Sequence, residues 1–327
     1  MSDLQPRALG RSGLATAPLA LGGNVFGWTA DETTSFQILD HFIGAGFSLV
    51  DTADIYSNWV PGNVGGESET VIGAWLKSRG QRERVLIATK VAGDMGAAGK
   101  GLSTAHIRSA VEASLLRLQT DYIDLYQAHY DDPATPLEEV LGAFGDLIAE
   151  GKVRAIGVSN HTVDRLKAAL EVSKVHDLPR YETLQPLYNL YDRQEFEETL
   201  GPLCRAEGIG VINYYPLASG FLTGKYRTED ALKASRRRSN QRYFNARGFR
   251  ILEAMDQVAA RTGATLAQIS LAWLLAQPDV TAPIASVTSV GQLEDLFAAT
   301  RLSLDAEALA LLNTASAYEP QMPGAVP

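Results

Sequence analysis

The sequence predicts an α/β chain folded as one (β/α)8 TIM barrel spanning residues 1–327, with an N-terminal hairpin and extra helix and loop structure after the seventh strand. Three observations carry that expectation. Short runs of Val, Ile, Leu, Phe and Tyr recur without in–out alternation, as strands buried on both faces require. The segments between them carry apolar residues at helical spacing, and alternation of the two patterns implies a parallel sheet. Three of the runs also end on a polar residue. In a parallel barrel the strand C-termini converge on the face that holds the active site.

Taken in order, ALGRSGLATAP reads as a hairpin across the barrel floor, and PLALG as the first strand. Phe36, Leu39, Phe42 and Ile43 share a helix face ahead of the strand SLVD. Val71, Ile72, Trp75 and Leu76 lead to VLIATK. Ile107, Ala110, Val111, Ser114, Leu115 and Leu118 fall at offsets 0, 3, 4, 7, 8 and 11 before the strand YIDLYQ. Leu137, Val140, Leu141, Phe144, Leu147 and Ile148 repeat that set before AIGVS. The remaining strands are TLQP (183–186), IGVINYY (209–215) and TAPIA (281–285). Eight such units in roughly 300 residues suit a closed barrel. An open doubly wound sheet is the alternative, but no G-x-G-x-x-G follows the first strand. Residues 225–262 interrupt the passage from the seventh strand to its helix, first as a long polar loop and then as an extra helix from Phe249 to Ala260. Loops of that length are often functional. Residues 316–327, with three prolines, read as a flexible tail.

A hydrophobic fraction of 46% and a mean hydropathy of −0.06 supply a large core. No stretch approaches the roughly 20 apolar residues of a membrane span, and MSDLQPRALGRSG lacks the apolar core of a signal peptide. The single cysteine, Cys204, excludes an internal disulfide and a cysteine-based metal site. A reducing cytoplasm is the expected location. The net charge of −9 and pI near 5.1 speak against nucleic-acid and anionic-membrane partners. Against that background, eight Lys and Arg face only Glu229 and Asp230 between Lys225 and Arg247, a local +6. His41, His106, His129, His161 and His176 show no ligand spacing, so no metal is expected; His129 alone sits at a strand end, and a solvated helix surface accounts for the other four.

Asp51 ends the strand SLVD, with Tyr56 five residues on; Lys90 ends VLIATK; and His129 follows YIDLYQA. Each has a plainer reading: a packing tyrosine, a solvated lysine or histidine, a carboxylate capping a turn. Their common location at strand ends on one face favours chemistry. An ammonium near a phenol lowers its pKa from about 10. Lys90 is the expected source of that charge, with Asp51 holding it in place. A neutral His129 donates to an oxygen that gains negative charge. Such a group polarises a carbonyl and protonates it, given a hydride from elsewhere.

The segments DTADIYS, GGESETVIGAWL, ATKV, DYIDLYQAH, GKVRAIGVSN, LQPLYNLYDR, YYPLASGFLTGKY and QLEDL resemble, in that order, the landmarks of the aldo-keto reductase superfamily, including its channel-β-subunit-like branch. The likeness covers nearly the whole chain. It implies a (β/α)8 barrel, carbonyl reduction with NADP(H), and a tetrad of Asp51, Tyr56, Lys90 and His129. It also implies that Ser159, Asn160 and Gln185 hold the nicotinamide carboxamide and that Tyr214 stacks on the ring. Leu217, Ser219, Gly220, Leu222, Gly224 and Lys225 fall on the pyrophosphate loop, and Gly23 and Asn24 on the cofactor side of the first strand. After the last strand the pattern departs: Ser286 and Thr288 stand in place of a Gly-Ala-Arg run, with Thr288 at the arginine that meets the 2′-phosphate. Leu296 replaces an adenine-contacting asparagine, while Gln292 and Asp295 still fit. A hydroxyl discriminates phosphate less than a guanidinium does, which leaves NAD(H) as an alternative cofactor.

The expected function is therefore reduction of an aldehyde or ketone to an alcohol, with the basic stretch 225–247 as a cofactor lid. Trp28, Trp59 and Tyr130 supply an aromatic-walled pocket for a small-molecule carbonyl or alcohol. The alternatives are a cofactor-binding regulatory subunit with slow turnover, because some members of the superfamily serve ion channels, and a phosphate-handling barrel without redox chemistry. Oligomeric state stays open.

Overall fold

The computed structural model describes residues 4–234 and 238–318. A two-stranded antiparallel hairpin, β1 (Arg7–Ala8) and β2 (Ala15–Thr16), opens the chain. The barrel follows: β3 (Ala20–Gly22), α1 (Glu32–Gly44), β4 (Leu49–Asp51), α2 (Glu67–Arg79), β5 (Leu86–Val91), α3 (Thr104–Leu118), β6 (Ile123–Ala128), α4 (Leu137–Ala149), β7 (Val153–Ser159), α5 (Val163–Val175), β8 (Thr183–Gln185), α6 (Gly201–Glu207) and β9 (Gly210–Val211). After the insertion α7 (Glu229–Ala234) and α8 (Ala246–Thr262) come α9 (Leu266–Leu275), β10 (Ile284–Ala285), α10 (Val290–Ala299) and α11 (Ala306–Ser316). No helix among the described residues is long and apolar enough to cross a membrane.

All eight strands of the main sheet run parallel in the order β10-β3-β4-β5-β6-β7-β8-β9. The ring closes where the Thr281 and Ala282 amides donate to the Val211 carbonyl (2.8 and 3.2 Å) and the Ile284 amide donates to that of Asn213 (2.9 Å). The last two ladders are shorter than the apolar runs that foretold them. The 209–215 run pairs regularly only at Gly210–Val211, with an isolated bridge at Tyr214.

Helices start where capping residues accept first-turn amides: Asp31, Ser103, Thr162, Asn245, Thr265, Ser289 and Asp305 each do so. Their apolar faces pack on the outside of the sheet, and Ile38, Phe42, Ile107, Val111, Leu141 and Phe144 are fully buried there. A second, smaller cluster fills the barrel interior: Leu9 and Leu14 of the hairpin meet Ala20, Leu49, Ala88, Leu125, Ala155, Ile212, Ala282 and Ile284. The hairpin thus plugs the floor and leaves the strand C-termini as the open end. The extra helix α8 spans the expected Phe249–Ala260 and runs a few residues further at each end. Of the expected tail, residues 319–327 lie outside the described residues. Ser316 belongs to α11, and the Tyr318 hydroxyl donates to the Tyr191 carbonyl at 2.7 Å.

Candidate active site

Three strand ends, those of β4, β5 and β6, bring the predicted tetrad together at the open mouth. The chain leaving β4 is tied down at once: the Thr52 amide donates to the Ala88 carbonyl (2.8 Å) and the Thr52 hydroxyl to Ser68 (2.8 Å), which in turn donates to the Gly23 carbonyl (2.8 Å). A turn through Ala53–Tyr56 then returns the tyrosine over β5. Lys90, completely buried, spends all three ammonium protons, on Asp51 Oδ2 (2.8 Å), the Thr52 carbonyl (2.7 Å) and the Tyr56 hydroxyl (2.8 Å). The Tyr56 hydroxyl has its own proton free to donate, and Asp51 Oδ2 is 3.3 Å away. The His129 ring lies 6.0 Å from that of Tyr56, steeply inclined to it, and its Nδ1 is buried without a partner.

The electrostatics differ from the expectation at one point. Tyr56 is partly buried at the mouth, and burial pushes its pKa well above the ordinary tyrosine value; the facing Asp51 carboxylate adds to the rise. Lys90 was expected to lower it. Desolvation of the phenolate and the second charge of the ion pair outweigh the ammonium, so the resting residue is a neutral acid. Burial also lowers the Lys90 pKa, against the pull of Asp51. His129 is pushed well below its usual value, first by burial and then by the Lys90 charge, which fits a neutral imidazole.

The residues assigned to the nicotinamide cluster beside the tetrad. The Ser159 hydroxyl donates to the Gln185 carbonyl (2.9 Å); the Asn160 amide donates to the His129 carbonyl (2.9 Å) and its Oδ1 accepts from the Tyr214 hydroxyl (2.9 Å). Gln185 departs from its expected role in part, because its Nε2 is directed into the barrel, onto Asp51 Oδ1 (2.9 Å) and Gln127 (3.4 Å). Gln127, which itself donates to Asp51 at 3.4 Å, went unnoticed in the sequence because a glutamine within an apolar strand carries no motif.

After Tyr214 the backbone turns left-handed at Tyr215, Ala218, Ser219, Gly220 and Gly224. The Ala218, Gly220, Leu222 and Gly224 amides hold this loop together by donating to the carbonyls of Tyr215, Leu217, Leu217 and Phe221 (2.8–3.2 Å). Leu222 is buried beneath it and Leu217 half-buried, while Lys225 is exposed, its Nζ 5.0 Å from the ring of Tyr226. Across the mouth, Ser286 Oγ donates to Asn24 Oδ1. Gly23 is buried there, and its Cβ position would meet Ser68 Oγ at 2.9 Å. The exposed Thr288 amide donates to Gln292 Oε1 (2.9 Å), and Asp295 accepts from Thr265 (3.2 Å) and Gln268. Leu296 is buried in the core. Uncharged side-chain amides beside a half-buried aromatic ring, followed by a tight left-handed loop and an exposed lysine, suit a nicotinamide dinucleotide.

Of the basic stretch, Arg236 and Arg237 lie outside the described residues, as does the side chain of Arg238. Arg242 is held by Asp192 (2.8 Å) against the Tyr243 ring. The three aromatic residues gather at the mouth: Trp28 and Trp59 pack edge-on (5.7 Å), Trp59 meets Tyr56 (6.1 Å), and Tyr130 stacks on His129 (4.5 Å). Tyr215, about half exposed, joins them edge-on to Tyr214. His161 corrects the histidine reading. It is buried, and its Nδ1 lies 2.8 Å from the Ser159 carbonyl rather than in solvent.

The aldo/keto reductase family pattern matches residues 18–317. The chain belongs to the aldo/keto reductase family. Among its relatives, "Uncharacterized oxidoreductase YrpG" of Bacillus subtilis (strain 168) is 39% identical over 93% of this chain and 94% of that protein. "Aldo-keto reductase YhdN" of the same organism is 35% identical over 93% and 89%. A rice protein (Oryza sativa subsp. japonica) named "Probable voltage-gated potassium channel subunit beta" is 32% identical over 89% of each. As an aldo/keto reductase, the chain is an oxidoreductase of carbonyl-reducing type.

Proposed function

We propose that this aldo/keto reductase reduces an aldehyde or ketone to an alcohol with NADP(H), and that Tyr56 is the general acid. The observation that carries the reading is the 2.8 Å contact between the Lys90 ammonium and the Tyr56 hydroxyl at the open end of the barrel. A bound nicotinamide supplies the hydride that reduces the carbonyl carbon. The rest falls to the chain's own groups. The neutral His129 donates to the carbonyl oxygen and polarises it. Tyr56 redirects its proton from the long 3.3 Å contact with Asp51 to the oxygen as negative charge builds there. The tyrosinate left behind lies against Lys90, which Asp51 keeps charged and aimed. One hydride and one proton thus convert the carbonyl to the alcohol.

Ser159, Asn160, the remaining face of Gln185 and the ring of Tyr214 are assigned to the nicotinamide. Leu217, Ser219, Gly220, Leu222, Gly224 and Lys225 are assigned to the pyrophosphate, and Gly23, Asn24, Ser286, Thr288, Gln292 and Asp295 to the adenosine end. Residues 225–247 are the lid of a single barrel domain. Trp28, Trp59, Tyr130 and Tyr215 wall the substrate entrance, which favours a flat or apolar carbonyl compound.

The test is a panel of aldehydes and ketones followed by NADPH absorbance, with Tyr56→Phe beside the wild type. Removing the hydroxyl while keeping the ring lowers turnover by roughly 10²–10⁴-fold and leaves cofactor affinity nearly unchanged. Near-normal reduction by the variant overturns the assignment of the acid. The rice relative's name supports a second reading, a cofactor-binding regulatory subunit. Tight NADPH binding without turnover on the whole panel is the result that favours it.

A further inference from the structure

Behind the tetrad lies a carboxyl group that the reaction just described does not use. Asp54 follows Asp51 in the same turn, is only 2% exposed, and has neither side-chain oxygen in hydrogen-bonding geometry with any partner. An ionised carboxylate is costly in such a place. Its position is fixed by backbone: the Asp54 amide donates to the carbonyl of Lys90 itself at 3.3 Å. Gly65 closes over the turn so tightly that a Cβ there would meet the Asp54 carbonyl at 3.0 Å.

Ionisable groups face it from every side. Lys90 on β5, Glu69 on α2 and Arg117 on α3 all act on its charge. Tyr126 on β6 and Tyr130 beyond that strand both feel it in turn. Glu69, fully buried, is already paired, accepting from Arg117 Nε (2.7 Å) and the Thr89 hydroxyl (2.6 Å). Counting the cluster, the cations Lys90 and Arg117 balance the anions Asp51 and Glu69. A neutral Asp54 leaves the interior behind Tyr56 uncharged, and an ionised one leaves it with a net negative charge. Burial and then Glu69 push the Asp54 carboxyl up to about 7, against the opposing pulls of the Ile55 amide, Arg117 and Lys90.

We propose that Asp54 is a positioning acid for the proton donor: protonated, it keeps the Lys90–Tyr56 pair able to release a proton, and its ionisation shuts that release down. The inference rests on the carbonyl-reductase reading. When Tyr56 gives up its proton, the tyrosinate adds one negative charge to the cluster. With Asp54 neutral, the balanced ion pairs accommodate it; with Asp54 ionised, it meets a like charge in a low-dielectric interior. Asp54 touches neither substrate nor cofactor and works through Lys90 and Tyr56.

The experiment measures kcat for carbonyl reduction with saturating NADPH, from about pH 5.5 to about pH 8.5, for wild type, Asp54→Asn and Asp54→Leu. The wild-type rate falls about tenfold with a midpoint near neutrality, the size of one unit of coupling, and both variants lose that limb. A limb that persists in the variants overturns the proposal. A merely structural aspartate alters the level of the profile and not its shape. Carboxyl carbon NMR of the wild-type protein supplies an arm independent of folding in the variants: one aspartate titrates near neutrality, and a spectrum with none overturns the proposal. If the protein reduces no carbonyl, the functional reading fails separately. The coupling is then read on the Lys90 ammonium nitrogen resonance, which moves with the Asp54 titration in the wild type. A Lys90 signal indifferent to that titration overturns the proposal.

Discussion

The buried pair of Lys90 and Asp51 makes a quantitative prediction about stability. Lys90→Met keeps the length of the side chain and removes its charge and its three hydrogen bonds of 2.7–2.8 Å. Asp51 is then left with Gln185 at 2.9 Å, Tyr56 at 3.3 Å and Gln127 at 3.4 Å, but without a counter-charge. Stranding one member of a buried pair costs roughly 3–5 kcal/mol, and the three remaining donors put this case near the lower end, about 3 kcal/mol. Asp51→Asn strands the ammonium at a similar cost. The double variant Asp51→Asn/Lys90→Met contains no stranded charge, so its loss stays near that of either single change. A coupling of about 2 kcal/mol or more follows. Urea unfolding, read by the fluorescence of the four tryptophans, measures all four corners of the cycle. Two single losses that simply add, within about 0.5 kcal/mol, would refute the argument that the pair is held together by mutual neutralisation.

Thr288→Arg places a planar fork at the exposed start of α10, and each charge-assisted contact it makes contributes roughly 1.5–3 kcal/mol. NADPH then binds tighter relative to NADH by tryptophan quenching, and equal changes for both remove Thr288 from the 2′-phosphate. NADPH protects the stretch 225–247 from trypsin, because closure buries its Lys and Arg; equal cleavage with and without cofactor reduces the stretch to surface charge. Asp54 also shapes stability against pH. Its carboxyl ionises near 7 in the fold and near 4 in the unfolded chain, so folding takes up a proton between those values. Stability from this group is greatest at about pH 4 and falls as pH rises to about 7, by roughly 4 kcal/mol over about three units. Asp54→Asn flattens that slope, and urea midpoints across this window check it.

The strands were legible because parallel strands buried on both faces leave apolar runs, and the tetrad was legible because polar residues end three of them. The segment ALGRSGLATAP announced the hairpin across the floor, and the structure shows Leu9 and Leu14 as its inward-facing residues. What stayed hidden depends on neighbours distant in sequence. Asp54 reads as an ordinary turn carboxylate until Glu69 and Gly65 enclose it. The phenol of Tyr56 has Lys90 beside it, yet its burial, which no local pattern encodes, decides the direction of its pKa. His161 resembles any polar residue near a helix start, and it is tertiary packing, with the Tyr181 ring edge-on at 6.1 Å and the Ser159 carbonyl at 2.8 Å, that hides it from water. The left-handed backbone at Tyr215 and Ala218 is equally unmarked, since neither is a glycine or asparagine.

The ring closes at its thinnest place. β9 and β10 each have two residues, against six and seven in β6 and β7, and four amides carry the closure, three onto carbonyls and that of Val211 onto the Thr281 hydroxyl (3.1 Å). An opening there breaks only these few bonds, so amide protons along this seam are expected to exchange early. It also separates Tyr214 and the left-handed loop on one side from Ser286 and Thr288 on the other. The dinucleotide proposed to lie across those two edges would act as a clasp, letting ligand concentration tighten this short joint of the cylinder.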